Sequence, residues 1–293
     1  MTMPEGMKMP NIGRRQTLGL LGAGAMIAGV SPAAALNAKR RKLDFSKQDD
    51  QFLAYIKMRG SLDERLVVSY VSGSYFGVVG SEVTPLWDVI GVTFTRFKKR
   101  PDGAFDAVTG EIAHFLDPKT GEAPGEFLIP YTGKTVKDPR TNLPPNRIVL
   151  KPSLHMEVPR MMPGAVMDHD IRPPEVRGDD IWFTEVSRVT MQAPGAREPF
   201  RYSEMITMHA HVSDLQNADL PRVPTEAGFT NVVAWRPWMQ MGDHPGHLMA
   251  IGSGRFGVPM DLLPERWTKA TREKWPEVLA DPAALIDPIW KTL

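Results

Sequence analysis

The chain of 293 residues contains no cysteine. Disulfides, thiolate-bound metals and iron–sulfur clusters are therefore excluded, and stability must come from a hydrophobic core. The sequence also lacks a phosphate-binding glycine loop, a dinucleotide fingerprint, an H-E-x-x-H helix and a nucleophile elbow. The GAGAMIAG stretch mimics a dinucleotide loop, but it lies in an export segment. We therefore expect no organic cofactor.

The chain also lacks an apolar run long enough to span a bilayer. Its apolar stretch from Leu18 to Val30 is shorter than the roughly 20 residues of a spanning helix. Arg14-Arg15 precede this stretch, and Ala33 and Ala35 follow it in an A-x-A arrangement. The pattern predicts a twin-arginine-type signal peptide over residues 1–35, with a retained membrane anchor or a chance apolar tail as alternatives. We expect cleavage after Ala35 and a bacterial periplasmic protein that is not integral to the membrane.

The chain also has no excess of basic charge. The net charge is +1, and the signal peptide contributes three basic residues and one acidic residue, so the mature chain carries about −1. Without a basic stripe to neutralise phosphates, a nucleic-acid partner is not expected. The expected partners are a small-molecule ligand and the twin-arginine export machinery, and a homodimer is left open.

Most of the mature chain consists of short segments rich in β-branched and aromatic residues, separated by Gly, Pro, Asp and Asn. The predicted strands are Leu66 to Val79, Asp88 to Lys98, Phe105 to Leu116, Glu126 to Thr135, Asn146 to Leu150, Ile181 to Met191, Phe200 to Val212, Asn231 to Met241 and His247 to Gly252. Eight or nine consecutive antiparallel strands hide their edges most simply by closing into a barrel, which can hold one small ligand. A two-sheet sandwich is the alternative. We predict a mainly β fold: a calycin-like, single-domain antiparallel β-barrel over residues 36–293, with short flanking helices at both termini and an irregular Met/Pro-rich loop at 152–178.

Four sequence runs occur in an order that is specific to one family. They are KMRGSLD (Lys57 to Asp63), EIAHFLDPKTGE (Glu111 to Glu122), PYTGKTV (Pro130 to Val136) and WRPWMQMGDHPGHLM (Trp235 to Met249). With these runs the chain resembles a bacterial family catalogued as domain of unknown function 1838. The resemblance implies export and carries no known activity.

Candidate catalytic residues follow from the alternation of side chains along strands. Glu185 stands in an otherwise apolar row, where a carboxylate is costly unless paired, so it is a candidate general acid or base. The alternative is a salt bridge to Arg96 or Arg188. His209 and His211 share one strand face and can pair as acid and base or bind a metal; otherwise they are exposed strand histidines. Arg96 is the candidate anchor for a substrate carboxylate.

The strand from Phe200 to Val212 has two different faces. One carries Ser203, Met205, Thr207, His209 and His211, and the other carries Tyr202, Glu204, Ile206, Met208, Ala210 and Val212. The second face is more apolar, which favours it as the core side. Catalysis by His209 requires instead that the first face line a polar pocket.

The candidate ligand-binding residues are mainly aromatic. Trp182, Trp235 and Trp238 offer stacking surface for an aromatic molecule. The remaining candidates are Met241, His211, Glu111, His114 and Tyr131. The segment from His155 to Glu175 holds four methionines and two histidines, which suits either a flexible lid over the barrel mouth or a copper site.

These observations predict an exported barrel that binds a small, apolar, aromatic molecule. As an enzyme it would be a cofactor-independent lyase, decarboxylase or isomerase that uses Glu185, His209 and Arg96. A non-catalytic periplasmic binding protein is the first alternative. A copper or zinc protein that uses His209, His211 and the Met/His segment is the second.

Overall fold

The computed structural model describes residues 42–137, 144–158, 165–192 and 199–293. The predicted signal peptide lies outside these ranges. The helices are α1 (Gln48–Arg59), α2 (Val212–Gln216), α3 (Glu265–Lys274), α4 (Pro276–Ala280) and α5 (Asp287–Trp290), with 3-10 turns at Pro237–Met239, Met260–Leu262 and Pro282–Leu285. Over the described ranges, no helix has the length and apolar character needed to cross a membrane.

Most of the remaining chain forms one antiparallel sheet. Its strands are β1 (Val67–Val79), β2 (Glu82–Lys99), β3 (Phe105–Leu116), β6 (Asn146–Lys151), β7 (His155–Glu157), β8 (Ala165–Ile171), β9 (Glu175–Arg177), β10 (Asp180–Met191), β11 (Phe200–His211), β12 (Thr225–Val233) and β13 (His247–Phe256), while β4 (Glu126–Ile129) and β5 (Lys134–Lys137) form a separate hairpin. The sheet runs in the order β11-β12-β13-β1-β2-β3-β6-β7-β8-β10, and β10 pairs back onto β11. This pairing closes a ten-stranded barrel, which confirms the predicted fold class.

Two parts of the strand prediction need correction. The segment 152–178 is not an irregular loop, because β7, β8 and β9 lie within it, and Pro173 and Pro174 fall between β8 and β9. The predicted strand from Asn231 to Met241 ends instead at Val233. Pro237 cannot donate to a strand ladder, and Gln240 adopts a left-handed φ of 53°, so residues after Val233 leave the sheet.

The barrel is covered at both ends. At one end, Phe52, Tyr55 and Ile56 of α1 pack against inward-facing residues such as Phe183 and Met208. At the other end, the β4–β5 hairpin and residues 235–246 pack over an aromatic cluster that contains Tyr75, Trp87, Phe115 and Phe127. The inner space therefore lies between an apolar helix and an aromatic cover.

The C-terminal helices pack on the outside of the sheet. Trp267 of α3 is fully buried against Phe94 of β2, and its indole N–H donates to the carbonyl oxygen of Ile112 at 2.8 Å. The outer face of β2 and β3 is consequently also buried and apolar.

The turn before β13 requires glycine at position 246. Gly246 has a φ of +108°, and a Cβ there would lie 2.3 Å from the carbonyl oxygen of Val78. We expect Gly246→Ala to lower the free energy of unfolding by about 1–3 kcal/mol in urea titrations. The control is Gly80→Ala, because Gly80 has a φ of +60° but no atom within 4 Å of such a Cβ. Equal losses in both variants would show that the contact with Val78 does not constrain the turn.

Candidate functional site

The strand register places three carboxylates inside the barrel, on β3, β10 and β11. Glu204 of β11 lies opposite Ser187 of β10 and Asn231 of β12, and Glu185 lies opposite Ile206. Glu111 of β3 lies on the same strand face as Phe115, which belongs to the inner aromatic cluster. Three acidic groups therefore share a space that two arginines also enter.

Glu185 is held by a buried ion pair. The hydroxyl of Tyr55 donates to Glu185 Oε1 at 2.8 Å, and Arg59 Nε lies 3.2 Å from the same oxygen. Burial, together with the adjacent Glu185, raises the pKa of Tyr55 well above its ordinary value. Burial opposes the charge on Arg59, but Glu185, Tyr55 and Glu204 together outweigh this effect and raise the pKa of Arg59. Glu185 is therefore paired with Arg59, not with Arg96 or Arg188 as the sequence suggested.

His169 of β8 completes this part of the interior. Its Nδ1 lies 2.6 Å from the hydroxyl of Ser187, and its Nε2 lies 4.0 Å from Glu185 Oε2. Burial lowers the pKa of His169, although the adjacent Glu185 acts in the opposite direction. The ring is consequently neutral at pH 7 and serves as a polar wall.

Glu204 forms a second carboxylate site together with Tyr202, whose hydroxyl donates to it. Burial raises the pKa of Glu204, whereas hydrogen bonds from Tyr202 and Asn231 act to lower it. The side chain remains half-buried, which means that it borders accessible space inside the barrel. Glu204 is therefore hydrogen-bonded but still partly accessible to solvent.

Glu111 is the least constrained of the three carboxylates. Burial, and then the charge of Glu204, raise the pKa of Glu111 to about 7, while Arg59 and Arg236 act to lower it. Among the described residues, no group donates a hydrogen bond to its carboxylate. The side chain is half-buried, and a Cβ at Gly91 would lie 2.7 Å from its Oε1, so the glycine makes room for it. Glu111 can therefore exchange a proton with a ligand near neutral pH.

Arg236, Tyr75 and Asn231 form a cluster of hydrogen-bond donors beside the aromatic end. The guanidinium of Arg236 and the side-chain amide of Asn231 donate to the hydroxyl oxygen of Tyr75 at 3.2 and 3.1 Å. Since that oxygen already accepts two bonds, the hydroxyl hydrogen of Tyr75 points elsewhere. Arg236 makes no salt bridge with any described residue, and its buried Nε and the Oδ1 of Asn231 have no hydrogen-bond partner there. Buried polar atoms without partners are costly, so this cluster is suited to a polar ligand group.

The aromatic end contains four of the residues predicted from sequence. Trp238 lies 5.3 Å from Trp87 between ring centroids, and Trp235 lies 5.4 Å from Tyr131. Met241 is buried in the same cluster. The indole N–H of Trp235 donates to the carbonyl oxygen of His244 at 3.0 Å, which fixes the turn. Residues 235–246 of this run thus form a cover over the barrel end, and only its last residues, 247–249, belong to a strand, β13.

Five of the other predicted site residues lie on the outer face of the barrel, so the structure does not bring His209 and Arg96 together with Glu185. His209 is hydrogen-bonded to Asp180 and stacks on Trp182, and His211 is exposed beside them. Alternation explains this, because Glu204 and Met208 occupy the inner positions of β11.

Arg96 and His114 face outward as well, toward the C-terminal helices. Arg96 pairs with Asp287 at 3.5 Å and lies over the ring of Trp290. His114 Nε2 lies 2.8 Å from the hydroxyl of Thr271, and burial lowers the pKa of His114 to about 4. Both residues therefore have structural partners on the outer face.

The residues that sequence reasoning missed are Tyr55, Arg59, Tyr75, His169, Tyr202, Glu204, Asn231 and Arg236. Glu204 was detectable, because it is a carboxylate in the row expected to face the core, as Glu185 is. Arg59 and Arg236 lie within two of the runs that carry the family resemblance, but neither periodicity nor spacing distinguishes them from surface arginines.

Comparison with known proteins identifies a family. A family model described as "Protein of unknown function (DUF1838)" matches residues 65–288. This range covers the whole barrel but begins after Tyr55 and Arg59 of α1. No curated protein and no solved structure matches the chain.

Proposed function

The chain belongs to the DUF1838 family, and from its barrel we propose that it binds a small molecule with an aromatic part and an acidic group, and that Glu111 moves a proton on this molecule. One observation carries the proposal: Glu111 is a half-buried carboxylate inside the barrel, has a pKa of about 7, and has no hydrogen-bond partner among the described residues. A group with these properties is suited to general acid or base work near neutral pH.

The composition of the interior supports the class of ligand. Trp87, Phe115 and Trp238 offer ring faces at the aromatic end. Arg236 is a guanidinium without a salt bridge in the described part of the chain, and a carboxylate can accept two parallel hydrogen bonds from such a group. The diameter of a barrel grows with its number of strands, so ten strands enclose a wider interior than the eight strands of barrels that hold one small ligand, and small residues such as Ala113 face inward here.

An arylpyruvate illustrates the proposed reaction. The Glu111 carboxylate takes a proton from the carbon beside the ketone, and the C–H electron pair forms a carbon–carbon double bond. The ketone oxygen becomes an enolate oxygen that accepts hydrogen bonds from Tyr75 and Arg236. The proton taken up by Glu111 then passes to that oxygen, directly or through water, which gives the enol and restores the Glu111 carboxylate. The proposed reaction only moves a proton and an electron pair within the substrate and needs no cofactor, so its class is a tautomerisation or a related isomerisation.

We also propose that the protein acts in the periplasm. The support is the Arg14-Arg15 pair, the apolar stretch and the A-x-A site of residues 11–35. A folded barrel is a suitable cargo for a twin-arginine route.

The affinity of the barrel for aromatic carboxylates tests the ligand class. With 3-phenylpropionate as an unreactive probe in isothermal titration calorimetry, we expect Arg236→Met to weaken binding about 10- to 100-fold, because a charge-assisted hydrogen bond is lost. The matched control is Arg201→Met, which removes an exposed arginine from the outer face of β11. Equal affinity in Arg236→Met and wild type would contradict the proposed anchor. Binding without acceleration of phenylpyruvate tautomerisation would leave a non-catalytic binding protein.

A further inference from the structure

A second cluster of ionisable side chains lies on the outer face of β10 and β11. His209 and His211 project from the same face of β11, and Asp180, the first residue of β10, lies opposite His211 in the register. Asp180 Oδ1 lies 2.8 Å from His209 Nε2 and 3.5 Å from His211 Nδ1. One ligand atom from each of the three residues lies within 4.8 Å of the other two.

These separations fit a metal ion. Zinc–nitrogen and zinc–oxygen bonds of about 2.0–2.2 Å in a tetrahedral arrangement place ligand atoms roughly 3.3–3.6 Å apart. Asp180 and His211, at 3.5 Å, lie in this range, and Asp180 and His209, at 2.8 Å, are closer because a hydrogen bond joins them. All three ligand atoms lie within 4.8 Å of one another, so rotations of side chains can bring them to one ion.

The surroundings hold the ligands in place. The indole of Trp182 stacks on the His209 ring, with centroids 5.1 Å apart and an interplanar angle of 26°. The neighbouring Asp179 is already occupied, since it accepts bonds from the backbone and side chain of Ser213 at 2.7 and 2.9 Å. Asp180 is therefore the carboxylate available to an ion.

We propose that Asp180, His209 and His211 bind one divalent transition-metal ion, with Zn²⁺ as the expected ion and Cu²⁺ as the tighter competitor. Two imidazoles and a carboxylate suit these ions, whereas Cu⁺ prefers the sulfur ligands suggested by the Met/His segment. Three protein ligands leave a fourth position for water or an anion. A groove lined by Arg172, Glu175, Arg177, Trp182 and Thr207 adjoins the site, so a small molecule in the groove can reach that fourth position.

Titration of the full mature chain with ZnCl₂ after chelator treatment tests the site. We expect one equivalent to bind, and we expect His209→Ala, His211→Ala and Asp180→Asn each to weaken binding at least about tenfold. Cu²⁺ should also quench the fluorescence of Trp182 at one equivalent, and Trp182→Phe should remove this quenching while zinc binding remains.

His155→Ala is the matched control, because His155 is an exposed histidine on β7, outside the cluster, and its loss should leave affinity unchanged. The three ligands are half-buried or exposed, so the variants should keep the melting temperature of the metal-free wild type. Absence of stoichiometric binding, or equal affinity in all ligand variants and wild type, would overturn the proposal. Glu111→Gln should bind zinc normally, which separates this test from that of the barrel interior.

Discussion

Glu111→Gln is expected to lower the rate of phenylpyruvate tautomerisation by about 10²- to 10⁴-fold, the range that a positioned general base contributes. Glutamine keeps the shape of the side chain but cannot accept the proton. Binding of 3-phenylpropionate should persist, since Arg236 and the aromatic cluster are unchanged. The measurement is kcat/KM from the absorbance of the enol.

The pH dependence provides a second readout for Glu111. A base must be ionised to act, so kcat/KM of the wild type should rise with pH, with a midpoint near the pKa of about 7. The residual rate of Glu111→Gln should lack this rise. A wild-type profile that is flat between pH 5 and 9 would exclude Glu111 as the base.

Stability provides an independent check on the same residue. Folding raises the pKa of Glu111 from about 4.5 to about 7. Below pH 4.5 the carboxyl is protonated in both states and does not affect the free energy of unfolding. This free energy falls as the pH rises from 4.5 to 7, and the loss is complete above pH 7. Glu111→Gln mimics the protonated form. The variant should therefore become increasingly more stable than the wild type as the pH rises from 4.5 to 7. Equal stability of the two proteins across this range would show that burial does not raise the pKa of Glu111.

The barrel could be predicted from sequence because most of its strands alternate apolar and polar side chains and follow one another after short turns. Phe105–Leu116 has the predicted bounds. The strand count fell short because β8 lies between proline-rich stretches, where composition argues against a strand although seven residues pair with β10. Closure of the barrel also depends on the pairing of β10 with β11 and on the contacts of β8. These pairings belong to the sheet as a whole, so the sequence of a single segment does not reveal them.

The same alternation predicted only part of the interior. It identified Glu185 because the other residues in its row are apolar. It failed for Arg96, since the outer face of β2 is also buried, under α3, and a strand apolar on both sides does not show which face is inner. The role of Arg59 could not be predicted from sequence, because the contact of α1 with Glu185 joins residues about 130 positions apart in the chain.

The ion pair between Arg59 and Glu185 predicts the largest effect on stability. The exposed fractions of the two side chains are 24% and 4%, and the guanidinium also lies over the ring of Phe256, 4.6 Å from its centroid. In Arg59→Met, Glu185 keeps a bond from Tyr55 but loses its counter-charge while Glu204 remains near. Removal of one partner from a buried pair costs about 3–5 kcal/mol, and we expect this loss in urea titrations at pH 7.5.

A double variant tests whether the cost arises from the unpaired charge. Arg59→Met combined with Glu185→Gln removes both charges, so it should recover most of the stability lost in the single variant. Arg188→Met is the control, because Arg188 pairs with Asp168 on the outer face and an exposed pair contributes about 0–1 kcal/mol. If the double variant is no more stable than Arg59→Met, then α1 closes the barrel by its apolar residues alone, and the ion pair serves to position Glu185 beside the ligand space.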